Sequence, residues 1–386
     1  MLKRIRLPTK FRLDWYLLGG VIFLLVLGLL IVYDSSSAGA AERYGDQFHF
    51  LKNQSLWVFL GSLSGLFFYI SDYRWLKRLS LPLFILAIFL LVLVLLPTPF
   101  TRELRGSQSW IGLPAPIPIL GGEIGFQPSE FAKLALIIYL AMLFTGHRVE
   151  RKGGSNPNFW SFFVPTALVA GLIAVENDLG NALIAGSLGL ACFFFAHARL
   201  RHLLLALLIF VAVGGVLGLQ SSTFLERVRV FLNPDYDPQG AGYQINQVEI
   251  TLGSGGFWGL GIGRSLQKYG YIPAIQTDAI FAVIGEEFGF LGASLVVLVF
   301  AFLIYRGFWV AIRAPDDFGR VLAAGVASWV AIQTLLNLGA IARFLPLTGV
   351  TLPFLSYGGS SLLALLTAFG ILLNVSRNRI SVRSQR

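Results

Sequence analysis

Ten stretches of mostly apolar residues lie near 14–33, 55–71, 81–97, 129–146, 160–176, 179–197, 203–220, 283–305, 321–343 and 355–375. Runs of about 17 to 25 residues match the hydrocarbon thickness of a bilayer as helices, whereas spanning strands need only about 9 to 11. Inside hydrocarbon the backbone must satisfy its own hydrogen bonds, which a helix does within one segment. The runs therefore predict an all-α polytopic membrane protein with about ten transmembrane helices. Composition supports this: 55% of the 386 residues are hydrophobic and 13% are charged, against roughly 25% charged in a soluble domain. A water-soluble enzyme is excluded.

The 30 Lys+Arg against 20 Asp+Glu give a net charge of +10. In a soluble chain that excess would suggest nucleic acid. Here most of the basic residues cluster in alternate short segments, among them Lys3 to Arg12, Arg74 to Arg78, Arg148 to Lys152, Arg306 to Arg320 and Arg377 to Arg386. The positive-inside rule then places both termini in the cytoplasm, and no nucleic acid is expected. The predicted organisation is a basic tail (1–13), one transmembrane domain (14–376) with a long outer loop at about 221–282 between spans seven and eight, and a second basic tail (377–386). Ala38-Gly39-Ala40 resembles a signal-peptidase site, but the preceding apolar run exceeds the usual h-region of roughly 7 to 15 residues, so an uncleaved first span is preferred. The single Cys192 and four scattered histidines offer no disulfide framework or metal-ligand spacing, and no structural metal is expected.

Ionisable groups within or beside spans are costly and mark candidate sites. Glu130 and Lys133, three apart at the outer end of the fourth span, share a helix face as an ion pair, structural or catalytic. Asp178, between the fifth and sixth spans, suits a helix N-cap as well as a site. Glu286 and Glu287 near the start of the eighth span complement the helix dipole. Asp278 stands apart as a lone carboxylate entering the membrane boundary, a position suited to a general base. All six fall at outer span ends, so chemistry is expected to face outward. Nucleotides are absent on that side, which makes a pre-activated, lipid-linked pyrophosphate the natural substrate. Arg227, Arg229, Arg264 and Lys268, with Arg102 and Arg105, are candidate diphosphate contacts, although any one taken singly reads as a solvated loop residue. Tyr243 and Gln244 suit substrate contacts and loop folding equally.

Several segments together resemble the SEDS family (FtsW, RodA and SpoVE). They are Gly125-Phe-Gln-Pro-Ser-Glu130-Phe-Ala-Lys133, Asp178-Leu-Gly180, Asn233-Pro-Asp-Tyr-Asp-Pro-Gln-Gly-Ala-Gly-Tyr-Gln244, Thr277-Asp278-Ala-Ile-Phe-Ala-Val-Ile-Gly-Glu-Glu287 and Leu352-Pro-Phe-Leu-Ser-Tyr-Gly-Gly-Ser-Ser361. The resemblance implies a peptidoglycan glycosyltransferase that polymerises lipid II on the outer face of the bacterial cytoplasmic membrane. It also implies a class B penicillin-binding protein and other divisome or elongasome membrane proteins as partners. By the same similarity Asp278 is the essential aspartate, and Glu130 with Lys133 is the paired charge of the fourth span. Cationic groups or a divalent cation, Mg or Mn, would stabilise the leaving undecaprenyl pyrophosphate.

The chain departs from the family pattern at Gln276, where a His is usual, at Glu176-Asn177 for Gln-Pro, at Asn181 for Thr and at Gln108-Ser109 for Lys-Arg. Gln267 to Tyr271 and Val350 to Phe354 lean toward the FtsW division branch, while Gly240 to Gln244 resembles RodA at least as much. Two rival readings are a lipid II flippase, which needs polar groups along a whole path, and a non-catalytic scaffold, which should tolerate Asp278→Asn.

Overall fold

The computed structural model describes residues 13–96, 101–104, 107–112, 125–145, 158–233, 236–240, 242–265 and 275–377. Lys268, Arg105 and most of the two basic tails lie outside the described residues. The ten apolar runs coincide with helices: α1 (Trp15–Tyr44), α2 (His49–Ile70), α3 (Leu76–Leu95), α4 (Pro128–Thr145), α5 (Phe159–Val175), α6 (Leu179–Phe195), α7 (Leu200–Gln220), α10 (Ile280–Ile312), α11 (Asp317–Ile341) and α12 (Gly359–Arg377). Seven of these, α1, α3 with its leading 3-10 turn, α4, α7, α10, α11 and α12, are long and apolar enough to cross a membrane. The apolar helices α5 and α6 are shorter, at 17 residues each, and α2 has 22.

Two features between the runs go beyond the expected helices and loop. The proline-bearing segment before α4 contains an antiparallel sheet in the order β1-β2-β3, formed by β1 (Thr101–Leu104), β2 (Ser107–Gly112) and β3 (Gly125–Phe126). Its strands are too short for the apolar-run argument to detect, and β1 pairs antiparallel with β2, its neighbour in sequence. The long 221–282 segment contains two helices, α8 (Ser222–Leu232) and α9 (Tyr243–Ser254). Ser221 starts α8 by accepting the Phe224 N–H at 3.4 Å, as an N-cap does.

Helices α4, α11 and α12 form the centre of the bundle, with most of each buried inside the protein, while α7 is largely uncovered. Helix α12 lies against α2 at backbone contact distance, where a Cβ on Gly370 would collide with the Gly65 carbonyl. Ser64 Oγ and Thr367 Oγ1 hydrogen-bond there at 2.7 Å, and Asn374 Nδ2 donates to the Phe68 carbonyl at 2.7 Å. Small residues let helices approach this closely, so that polar groups bond across the interface.

Helix α10 is broken at Gly289, whose φ of 65° and ψ of −166° leave the helical region. Such backbone is strained for residues with a Cβ. The break admits a glycine-rich hairpin: Leu260 N–H donates to the Glu286 carbonyl at 2.9 Å, Gly261 N–H to the Glu287 carbonyl at 3.0 Å, and Phe290 N–H to the Gly256 carbonyl at 2.9 Å. Hydrogen bonds missing from the helix are thus recovered from the neighbouring chain.

Candidate functional site

One face of α8 sets the site. Thr223, Glu226, Arg227 and Val230 follow the i, i+3, i+4, i+7 spacing that aligns side chains on one side of a helix. They line a cleft of about 170 Å³ together with Gln244 and Ile245 from the first turn of α9, Asp278, Leu347 and Gly349. Three separate chain segments therefore bring a carboxylate, a guanidinium and an amide to one opening.

Asp278 occupies the turn that leads into α10 and is half-buried. Its flanks anchor it: Ile275 and Ala279 are buried, and the Gln276 carbonyl accepts the Tyr357 N–H at 2.8 Å. Asn337 Nδ2 of α11 donates to the Asp278 carbonyl at 2.8 Å and to the Val350 carbonyl at 2.8 Å. Among the described residues the Asp278 carboxylate accepts one side-chain hydrogen bond, from Thr277 Oγ1 at 3.0 Å. The anchoring thus falls mainly on its backbone, and Asp278 itself lines the cleft.

Glu130 and Lys133 form the expected pair, with Lys133 Nζ 2.9 Å from Glu130 Oε1. Both side chains are almost completely buried, at 3% and 0% exposure. Lys133 also donates to Asn181 Oδ1 at 2.6 Å and lies over the Trp329 ring, 5.1 Å from its centroid. Asp178 caps α6 through the Asn181 N–H at 3.0 Å, and its other oxygen accepts Asn181 Nδ2 at 2.8 Å and Gln127 Nε2 at 3.0 Å. The network continues from Trp329 Nε1 to Gln333 Oε1 at 2.7 Å and from Gln333 Nε2 to the Thr351 carbonyl at 2.9 Å. It therefore ends one residue from Val350 and joins the segment that Asn337 holds. None of its charged members lines the cleft.

Glu286 and Glu287 belong to a third environment. Both are buried one to two turns into α10, with Ser265 Oγ donating to Glu286 Oε2 at 2.5 Å and Gly263 N–H to Glu287 Oε1 at 2.9 Å. Asp34 of α1 reaches the Glu287 carboxylate as well. These acids secure the hairpin against the broken helix and are absent from the cleft lining.

Of the expected substrate contacts, Arg227 and Gln244 line the cleft with Asp278. Arg229 instead turns to Tyr236, with Nη1 3.4 Å from the hydroxyl. Arg264 is exposed on the hairpin, and Tyr243 opens α9 outside the lining. Thr223, Glu226, Leu347 and Gly349 were not singled out from sequence; the first two carry an amphipathic helical spacing inside a segment read as turns. Asn337 and Gln333 were equally legible as polar residues within an apolar run. The Asp34–Glu287 contact joins positions some 250 residues apart and leaves no local signal.

The family model for FtsW/RodA/SpoVE, described as a cell cycle protein, matches residues 15–381. The stage V sporulation protein E of Bacillus subtilis is 39% identical over 363 residues, covering 92% of this chain and 94% of its own. A probable peptidoglycan glycosyltransferase FtsW from Trichlorobacter lovleyi is 38% identical over 381 residues, covering 97% and 96%. A chain from a solved peptidoglycan synthase complex, a structure concerned with how polymerization and crosslinking are coordinated, is 30% identical with a TM-score of 0.75, covering 96% of this chain and 100% of that one. The helical bundle, the ordered motifs and these matches agree: the chain belongs to the FtsW/RodA/SpoVE family of membrane proteins.

Proposed function

We propose that this chain is a peptidoglycan glycosyltransferase of the cytoplasmic membrane that polymerises lipid II in an outward-facing cleft, with Asp278 as its general base. The observation that carries the reading is the half-buried Asp278 lining a cleft with Arg227 and Gln244, apart from the buried charges of α4 and α10. The full-length likeness to proteins named as peptidoglycan glycosyltransferases supplies the reaction class. Asp278 takes the proton of the acceptor sugar 4-hydroxyl as that oxygen attacks the anomeric carbon of the lipid-linked chain. The bond to undecaprenyl pyrophosphate breaks with inversion, and Arg227 stabilises the departing diphosphate by charge-assisted hydrogen bonds.

Among the described residues no three acidic, His or Cys side chains gather as a metal site. Mg²⁺, however, is commonly held by one or two carboxylates with substrate phosphates. Glu226 is the cleft carboxylate suited to that part, and an ion bound there would offset charge on the leaving pyrophosphate. A class B penicillin-binding protein is the expected crosslinking partner, within the larger assemblies of division or elongation. The similarity to a chain of a peptidoglycan synthase complex supports that pairing.

The test is polymerisation of labelled lipid II by the purified protein, with and without that partner. Wild type should give glycan ladders that Asp278→Asn does not, with both proteins folded. Ladders of wild-type yield from Asp278→Asn would remove the base assignment.

A further inference from the structure

We infer that Asn337 is a positioning residue for Asp278: a single buried amide on α11 fixes both the turn carrying the carboxylate and the segment that follows the cleft residues Leu347 and Gly349. The inference rests on the reading of Asp278 as the base. Asn337 is 2% exposed, so it acts through Asp278 and does not itself meet substrate.

The hydrogen-bond arithmetic assigns the role. A primary amide has two N–H donors, and here Nδ2 directs one to the Asp278 carbonyl and one to the Val350 carbonyl, each at 2.8 Å. The orientation of the amide is forced, because the flipped form would set Oδ1 against two carbonyl oxygens. Its own Oδ1 accepts no hydrogen bond among the described residues, so both contacts that Asn337 makes are donations to loops. Buried polar atoms are ordinarily matched; this one is tolerated beside two donors that serve the site.

The two carbonyls belong to segments far apart in sequence. Asp278 stands at the end of the long loop after α7, while Val350 follows Gly349, which lines the cleft with Leu347. Both walls are therefore referenced to one point on α11, a helix at the centre of the bundle. A misplacement of about 1 Å in a reacting group costs on the order of 10²-fold in rate. Loss of the amide donors frees the Asp278 peptide to shift while its carboxylate stays chemically intact.

The experiment measures lipid II polymerisation rates against substrate concentration, using full-length chain with its class B penicillin-binding protein, for Asn337→Asp and Asn337→Ala. Asn337→Asp keeps the shape but removes both donors in its ionised form, and Asn337→Ala removes them without adding charge. In every variant that folds, kcat should fall about 10- to 100-fold with KM within about threefold of wild type. A kcat within twofold of wild type in a folded variant overturns the inference, as does a raised KM with kcat retained. Failure of both variants to fold, read from their thermal unfolding midpoints in detergent, would assign Asn337 to architecture alone and overturn it too. Asp278→Asn runs alongside; if that variant keeps the wild-type rate, the base assignment itself fails, whatever the Asn337 variants do.

Discussion

Glu130 and Asp278 are both carboxylates beside apolar helices, yet their surroundings differ in kind. Glu130 is buried with its countercharge 2.9 Å away, and that countercharge is itself held by Asn181 and covered by Trp329. Asp278 is half-buried, and its strongest ties run through its backbone. A buried charge locked to its countercharge has little freedom to exchange protons or bind substrate, and its removal leaves the partner stranded. A carboxylate anchored by its peptide keeps its oxygens for chemistry. The difference teaches that charge near the bilayer has two settings here: one ties α4 to α6 and α11, and the other lines the cleft, where the proposed chemistry places its base.

That division is open to direct attack. The largest effect is expected for Lys133→Ala, which strands Glu130 and should cost about 3–5 kcal/mol of stability, seen as loss of folded protein or a lowered unfolding midpoint in detergent. Glu130→Ala/Lys133→Ala should recover much of it. A folded, fully stable Lys133→Ala with no polymerisation activity would break the comparison by moving the pair into the chemistry. Next, Arg227→Ala removes a cationic hydrogen-bonding group worth roughly 1.5–3 kcal/mol, so kcat/KM for lipid II should fall about 10- to 100-fold. Asp178→Ala, which removes an N-cap, should lower stability by about 1–2 kcal/mol with KM unchanged. Smallest of all, Arg229→Ala should stay within about twofold of wild type in kcat/KM, because that guanidinium is turned toward Tyr236; a loss as large as that of Arg227→Ala would redraw the cleft.

What could be read in advance follows the range of the forces involved. The apolar helices were legible because hydrocarbon thickness fixes the length of such runs, and the Glu130–Lys133 pair because i, i+3 spacing is local. The Asp178 cap was legible for the same reason, in its bond to the Asn181 N–H. Asp278 stood out as a lone acid at a boundary. The cleft as a whole did not, since its walls come from α8, α9, the Asp278 turn and residues 347–349, brought together only by tertiary packing. Arg227 and Arg229 illustrate the limit: two positions apart on one helix, they point to different faces, and only the placement of α8 shows which one meets the cleft. The sheet β1-β2-β3 escaped because short strands carry weak periodicity.

The contact between α2 and α12 bears on how the chain is made. Ser64 and Thr367 are 303 residues apart, and synthesis proceeds at about 5–20 residues per second, so roughly 15–60 s pass between the two ends of that interface. During this interval the Gly61–Gly65 surface of α2 has no α12 to cover it, and Asn374 has not yet reached the Phe68 carbonyl. Helices delivered one at a time must therefore wait in the bilayer for a distant partner. The α2–α12 contact is thus among the last to form, and substitutions that enlarge Gly65 or Gly370 act on that late interface.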